Sequence, residues 1–415
     1  MARQKKSAFV LDFSRTVSRI GRGHPTGIDR VEYAYIQYFL GQPDPVLFLA
    51  RYKGKSVLLS REAMRDFMMR VQNNGPWDSP AKLRWLLRKE PTTGAKVRKT
   101  VSRLAISGFS LSRILKTNLP DGYTYINVGH ARMTPRLWPF LRRNGANSII
   151  VMVHDLIPID FPQYSRKNPR IRFEKWIRSV AENADVFIYN SADTAKRMAY
   201  WIERWGLPQT EGHVVLLGTD PLPKQESSSK SPDSSPYFLC LGTIEPRKNH
   251  RLLLDIWEDL HRTLPDAEIP HLHIVGARGW LNEDVFSRLD SAVFMGKTVF
   301  EHTNVSDADL GALMQGARAL LFPSFAEGFG YPLVEALQMK VPVIASELPC
   351  FREIAGDAAT YIDVENRPEW QRQIIAAASS DAAKLKLVKN MPKLPTWDDH
   401  FHNIAIIMGD IKRNN

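Results

Sequence analysis

Short runs of apolar residues, each the length of one buried strand, recur along this chain between longer stretches in which apolar positions return every three or four residues. The first run, Ala8 to Phe13, predicts a strand; a Gly- and Arg-rich loop, Arg19 to Gly27, and an aromatic helix from about Ile28 to Leu40 follow it. Further strands are predicted at Val46 to Tyr52, Tyr123 to Val128, Ser148 to Val153, Val186 to Asn190 and His213 to Leu217. The stretch Pro221 to Pro236, PLPKQESSSKSPDSSP, breaks the pattern, because Ser, Pro and charge cannot build a core. The alternation then restarts with a strand at Tyr237 to Gly242, a helix at about His250 to Thr263, and strands at His271 to Val275, Ala292 to Met295, Ala319 to Phe322 and Val341 to Ala345. Strands alternating with helices imply an α/β fold with largely parallel, doubly wound sheets. At 415 residues the chain exceeds the roughly 250–300 at which single cores stop growing. The expected organisation is a first α/β domain over 1–220, a linker over 221–236, a second α/β domain over 237–395, and a terminal helix over 396–415 that packs on either domain.

Charge adds a constraint on partners. The net charge of +12 suits anions, whether nucleotide diphosphates, acidic lipids or nucleic acid. Much of it falls between Lys82 and Lys116, where ten basic residues face one acid, Glu90, and are interleaved with Leu83, Trp85, Leu104, Phe109 and Ile114. This segment, about 75–120, reads as an inserted basic amphipathic hairpin, and two readings stand: docking on an anionic membrane, or a solvated charged face. No nucleic-acid module accompanies the charge, so nucleic acid is not an expected partner. The two cysteines, Cys240 and Cys350, carry no zinc-type spacing and suit a reducing compartment. Asp12 interrupts the short apolar segment near the start, so no signal peptide is predicted, and no run of about 18 apolar residues offers a spanning helix.

The chemistry concentrates in Leu321 to Asp357, LLFPSFAEGFGYPLVEALQMKVPVIASELPCFREIAGD. A buried strand leads into a loop with Glu327, Gly328 and Gly330, and Pro332 suits the first turn of a helix carrying Glu335. Such a strand, loop and helix start lies at the carboxyl edge of an α/β sheet, where ligands bind, and the helix start favours an anion. Two carboxylates beside an anion site are better explained as acceptors for sugar and ribose hydroxyls, so the layout is that of a nucleotide sugar site. In LCLGTIEPRKNH, Arg247 and Lys248 precede a helix at the same edge, placed to neutralise a diphosphate. IIVMVHDLIPIDFP ends a first-domain strand in His154 and Asp155. That His either bonds a sugar hydroxyl or is satisfied by neighbouring backbone. The loop Arg22 to Gly27 offers further amides to an anion.

Together GTIEPRKN, VSDADLGALMQGARALLFPSFAEGFGYPLVEA, PVIASELPCFREIAGDAA, TGIDRV and VHDLIPIDFP resemble the retaining GT-B glycosyltransferases, most closely the family 4 type that includes bacterial O-antigen and capsule mannosyltransferases. The resemblance is strongest from Tyr237 to about Ile362. It implies two Rossmann-like domains facing each other across a cleft. It also implies that Glu335 holds the ribose and Glu327 the donor-sugar hydroxyls, with amides at Gly328, Phe329 and Gly330 on the sugar and diphosphate. By the same resemblance Arg247 and Lys248 neutralise the leaving group, His154 contacts the sugar, and Gly27 is the first-domain phosphate glycine. Thr243 stands where many relatives carry Arg, which shifts that cationic duty to Arg247. No Asp-x-Asp has the character of a metal site, consistent with a metal-independent family mechanism and no cofactor. The implied activity is transfer of a hexose, mannose favoured, from a nucleoside-diphosphate sugar, GDP-mannose favoured, to a growing lipid-linked glycan at the inner face of the cytoplasmic membrane. A nucleotide-sugar epimerase or hydrolase, or a non-catalytic glycan-binding subunit, are the alternatives.

Overall fold

The computed structural model describes residues 7–23, 25–79, 91–130, 133–223, 235–380 and 390–414. Most of the expected linker, His24, and the Lys82 to Glu90 part of the basic segment lie outside them. Seven strands form the first sheet: β1 (Phe9–Asp12), β2 (Val46–Tyr52), β3 (Lys55–Leu59), β4 (Tyr123–Asn127), β5 (Ala146–Val153), β6 (Val186–Tyr189) and β7 (Glu211–Val214). Their order is β3-β2-β1-β4-β5-β6-β7, parallel except for the β3 edge. The second sheet holds β8 (Tyr237–Leu241), β9 (His271–Val275), β10 (Val299–His302), β11 (Ala319–Phe322), β12 (Val343–Ser346) and β13 (Thr360–Ile362), in the parallel order β10-β9-β8-β11-β12-β13. All residues of β1, β6 and β11 are buried, as central strands covered on both faces must be. The strand order reverses between β1 and β4 in one sheet and between β8 and β11 in the other. These are the crevices where such sheets bind ligands.

Helices cover the sheets because their apolar positions return on one face. In the Gly27–Gly41 helix, Val31, Tyr35, Ile36 and Phe39 are buried against Leu11 and Phe48. The terminal Trp397–Asn414 helix packs on the first domain. The His400 ring bonds the Leu216 carbonyl (2.9 Å) and the Tyr35 hydroxyl (3.0 Å), and Phe401 stacks on Tyr38 at 4.2 Å.

The structure departs from the sequence pattern in several places, and strands β10 and β13 are two that the pattern does not predict. The Ala292 to Met295 run is a turn: Phe294 is its one fully buried side chain, Val293 is 77% exposed, and Gly296 at φ 72° reverses the chain into β10. The run His213 to Leu217 pairs only through Glu211–Val214, after which buried Val215 and Leu217 continue as loop. A short helix, Ser14–Arg19, and the β3 edge were not visible as periodic segments. Finally, the described part of the basic segment is not a free amphipathic surface. The Thr93–Leu104 helix buries Val97 and Val101, and the Leu111–Asn118 helix buries Ile114 and Leu115, each over the first sheet. What they show outward is charge, including Lys99, Arg103, Arg113 and Lys116, with Phe109 57% exposed beneath the Arg113 guanidinium. Among the described residues no helix is long and apolar enough to cross a membrane.

Candidate active site

Four loops at the carboxyl edges of the two sheets build the site. In the second domain β8 runs into a short turn, Pro246–Lys248, closed by Asn249 in the left-handed conformation (φ 55°), which Asn tolerates better than most residues. This turn brings Arg247 and Lys248 under the loop that follows β11. The Glu327 carboxylate accepts from Arg247 Nη1 at 2.8 Å, Lys248 Nζ at 2.6 Å and Ser324 Oγ at 2.8 Å. Arg247 also reaches Glu245 (2.7 Å) and the Ala326 carbonyl (2.9 Å), and its own carbonyl accepts from the Phe325 amide (2.8 Å).

Burial by itself would raise the Glu327 carboxyl, but the Arg247 and Lys248 charges outweigh it and hold the group down at about 2. Burial pulls the Lys248 ammonium below its ordinary value, with Glu327 pushing back. Against the desolvation that opposes its charge, Arg247 is driven up by Glu327 and Glu245. Both cations expected to meet a diphosphate are thus tied to protein carboxylates. Of five Arg247 N–H donors, those on Nη2 have no acceptor among the described residues, and the Lys248 ammonium keeps donors beyond the one given to Glu327. Thr243 lies in the loop after β8, with its methyl group against Gly279.

The amides of Gly328, Phe329 and Gly330 have no acceptor among the described residues, and Gly330, at φ 107°, caps the Tyr331–Gln338 helix. Glu335 lies one turn into that helix, 2% exposed. Its partner comes from the opposite domain: Arg30 Nη1 donates to Oε1 of Glu335, with Asp307 4.0 Å from the same guanidinium. Burial raises the Glu335 carboxyl and Arg30 lowers it, leaving it above the ordinary value.

The first domain closes over these loops. Gly328 abuts the His154 carbonyl so tightly that a Cβ there would lie 2.1 Å from its oxygen. Ser191 Oγ donates to the Gly328 carbonyl (2.9 Å), and the Ala192 amide donates to Glu353 (2.8 Å). Tyr164 stacks on Phe325 at 5.5 Å. Gly27, at the start of its helix, rests against the Tyr331 ring, which makes an edge contact with Phe329. A cleft between the domains is lined by Asp155, Phe161, Asp193, Arg197, Phe325 and Glu327.

His154 is satisfied by backbone, the second of its two sequence readings. Nε2 donates to the Val128 carbonyl at 2.6 Å, which fixes the tautomer and leaves Nδ1 as an acceptor. Burial holds the ring neutral, its pKa lowered to about 4. The structure therefore gathers Glu327, Arg247, Lys248, Gly328, Phe329 and Gly330 at one edge, with His154 packed across the cleft and Gly27 against Tyr331. Sequence reasoning missed Arg30, Glu245, Ser191 and Tyr331. Arg30 sat in the quoted TGIDRV motif, one turn along the helix from Gly27, but nothing in the linear pattern paired it with a residue 305 positions later.

Two opposed doubly wound domains with a shared edge cleft define the GT-B class of α/β fold. Anabaena HepE, solved with UDP, matches with TM-score 0.61 at 16% identity over 97% of this chain and 100% of that one. Sucrose-phosphate synthase from Thermosynechococcus elongatus matches with TM-score 0.58 at 15% identity over 99% of each. Residues 223–393 match the family of glycosyl transferases group 1, and the chain is similar in sequence to bacterial O-antigen mannosyltransferases. The serotype-specific mannosyltransferase WbdA of Escherichia coli is 36% identical over 240 residues, which is 54% of this chain and 29% of that protein. The O-antigen chain mannosyltransferase B of the same species is 32% identical over 146 residues, 35% of this chain and 38% of the relative. The chain thus spans less than a third of the WbdA length it matches.

Proposed function

We propose that this chain is a retaining glycosyltransferase that moves mannose from GDP-mannose to a growing, lipid-linked polysaccharide. The observation that carries the reading is the Glu327 clamp. A carboxyl held at about 2 is no proton donor at neutral pH, so a glycosidase-like acid role is excluded for it. Its three partners leave it room to accept a sugar hydroxyl, and the neighbouring Arg247, Lys248 and unpaired loop amides suit an anionic leaving group. The C1–O bond to the diphosphate breaks as the acceptor oxygen bonds to C1 on the same face, and the acceptor proton passes to a phosphate oxygen. No protein nucleophile and no metal takes part. Glu335 takes the ribose hydroxyls, and the acceptor glycan enters from the first domain beside Asp155 and His154. Mannose and the polysaccharide acceptor follow the names of the homologous proteins.

Attachment to the inner face of an anionic membrane through residues 82–116 belongs to the same reading. The described helices of that segment bury their apolar faces, so the contact is electrostatic, with Phe109 the exposed aromatic. A panel of nucleotide sugars, scored by slow donor hydrolysis and thermal shift, tests the donor. Glu327→Ala and Lys248→Ala are expected to abolish transfer to a lipid-linked acceptor while remaining folded at reduced stability, checked by circular dichroism. Unchanged transfer in both would remove the site assignment.

A further inference from the structure

The Gly27–Gly41 and Tyr331–Gln338 helices bring their starts together across the domain gap, with Gly27 against the Tyr331 ring. Each start carries partial positive charge. Arg30 adds a full one in the first helical turn, where the helix dipole disfavours a cation. Two features in this gap remain unmatched. The only buried counter-charge on Arg30 among the described residues is Glu335, since Asp307 stands 4.0 Å away with its side chain 69% exposed. The Tyr331 hydroxyl is buried with no hydrogen-bond partner among the described residues. A gap with two helix starts, a guanidinium and an orphan hydroxyl is built for more negative charge than one carboxylate brings.

We propose that Arg30 gives up Glu335 when donor binds and turns its guanidinium onto the donor diphosphate, so that the first domain supplies a phosphate ligand from a side chain. This rests on the reading above, in which Glu335 receives the ribose. Ribose hydroxyls are neutral donors: they satisfy the Glu335 lone pairs but leave Arg30 without a counter-charge. A diphosphate beside the ribose supplies it, and a guanidinium fork matches phosphate oxygens in a bidentate geometry. The exchange keeps both groups paired. It also ties nucleotide binding to the domain interface, because Arg30 belongs to one domain and Glu335 to the other. Arg30 is a substrate-binding residue here: it contacts the diphosphate directly, while stabilisation of the leaving group as the bond breaks remains with the Arg247 and Lys248 cluster.

The competing reading is that Arg30 is only a latch that blocks Glu335, and the two differ in sign. Titration calorimetry would compare GDP, UDP and the corresponding nucleosides on the wild type, Arg30→Ala and Arg30→Lys, with circular dichroism as the folding check. The expected result is that Arg30→Ala weakens diphosphate binding about ten-fold or more, the range of a charge-assisted hydrogen bond. Nucleoside binding stays unchanged or tightens, Arg30→Lys falls between, and the salt dependence of diphosphate binding becomes shallower in Arg30→Ala. Equal or tighter diphosphate binding by Arg30→Ala overturns the proposal and leaves the donor site standing. Should Arg30→Ala fail to fold, Arg30→Lys reads the same difference, and diphosphate affinity equal to wild type in it overturns the proposal. If the wild type binds none of the four ligands, the donor-site reading falls and takes the proposal with it.

Discussion

Replacing Glu327 with Gln removes one charge from a buried group of four, Glu245, Arg247, Lys248 and Glu327, and leaves two cations facing one carboxylate. The magnitude follows from the carboxyl's own titration. Its pKa falls from an ordinary 4.5 to about 2 in the folded protein, which at about 1.36 kcal/mol per pH unit corresponds to about 3 kcal/mol of stability. Because the folded pKa is the lower one, this contribution is fully present above pH 4.5 and disappears as pH falls toward 2. Removing one partner of a buried ion pair costs about 3–5 kcal/mol, a second route to the same figure. One relaxation limits the loss: burial already pulls the Lys248 ammonium down, and removing Glu327 takes away the main charge opposing that, which eases the cost of leaving it less well paired. Urea unfolding followed by tryptophan fluorescence at pH 7 is therefore expected to show Glu327→Gln less stable by about 3 kcal/mol. Between pH 4.5 and 2.5 the difference from wild type should shrink. A variant within about 0.5 kcal/mol of wild type at pH 7, or a difference that does not narrow with acid, would refute the clamp as described.

Other predictions follow from the same geometry. His154 and His400 are both buried neutral with pKa lowered to about 4 from 6.5, chiefly by burial, so the unfolded chain binds more protons between those values. Stability should fall as pH drops from about 6.5 to 4, and a melting temperature unchanged between pH 7 and 5 would contradict this. Gly328→Ala places a Cβ into the His154 carbonyl and should hold the domains apart, read as a larger radius of gyration by X-ray scattering and a loss of transfer; an unchanged radius would count against the closed packing. Reversing charge at Lys99, Arg113 and Lys116 should release the protein from anionic vesicles in a flotation assay, with retained binding arguing against an electrostatic contact. His400→Ala removes bonds to Tyr35 and Leu216 and should destabilise the chain by about 1–3 kcal/mol, measured by denaturant midpoint. No change would mean the terminal helix is not anchored there.

The alternation of apolar runs was enough to read most of both sheets, because central parallel strands such as β1 and β11 are buried on both faces and leave continuous hydrophobic signatures. It failed where burial rests on one residue, as at Phe294, or where a strand lies at an edge, as at β3. The clamp was half legible. Glu327, Arg247 and Lys248 stood out by spacing after β11 and β8, but their mutual ion pairing is a product of the sheet order, which sets β8 beside β11. Contacts between the domains were illegible for a similar reason. Arg30 with Glu335, Ser191 with Gly328 and Ala192 with Glu353 join residues with no shared periodicity. For the basic segment the sequence left two readings open, because amphipathicity shows that a face is buried and not against what, and the described helices present the solvated charged face of the second.

The central claim is tested most directly by product analysis. The purified chain would be incubated with GDP-mannose labelled in the sugar and a lipid-linked glycan acceptor, and the product examined for label and anomeric configuration. The account predicts mannose on the glycan with the configuration of the donor, and no such product from Glu327→Ala. Label recovered only as free mannose or unreacted donor, an inverted linkage, or undiminished transfer by Glu327→Ala would contradict it.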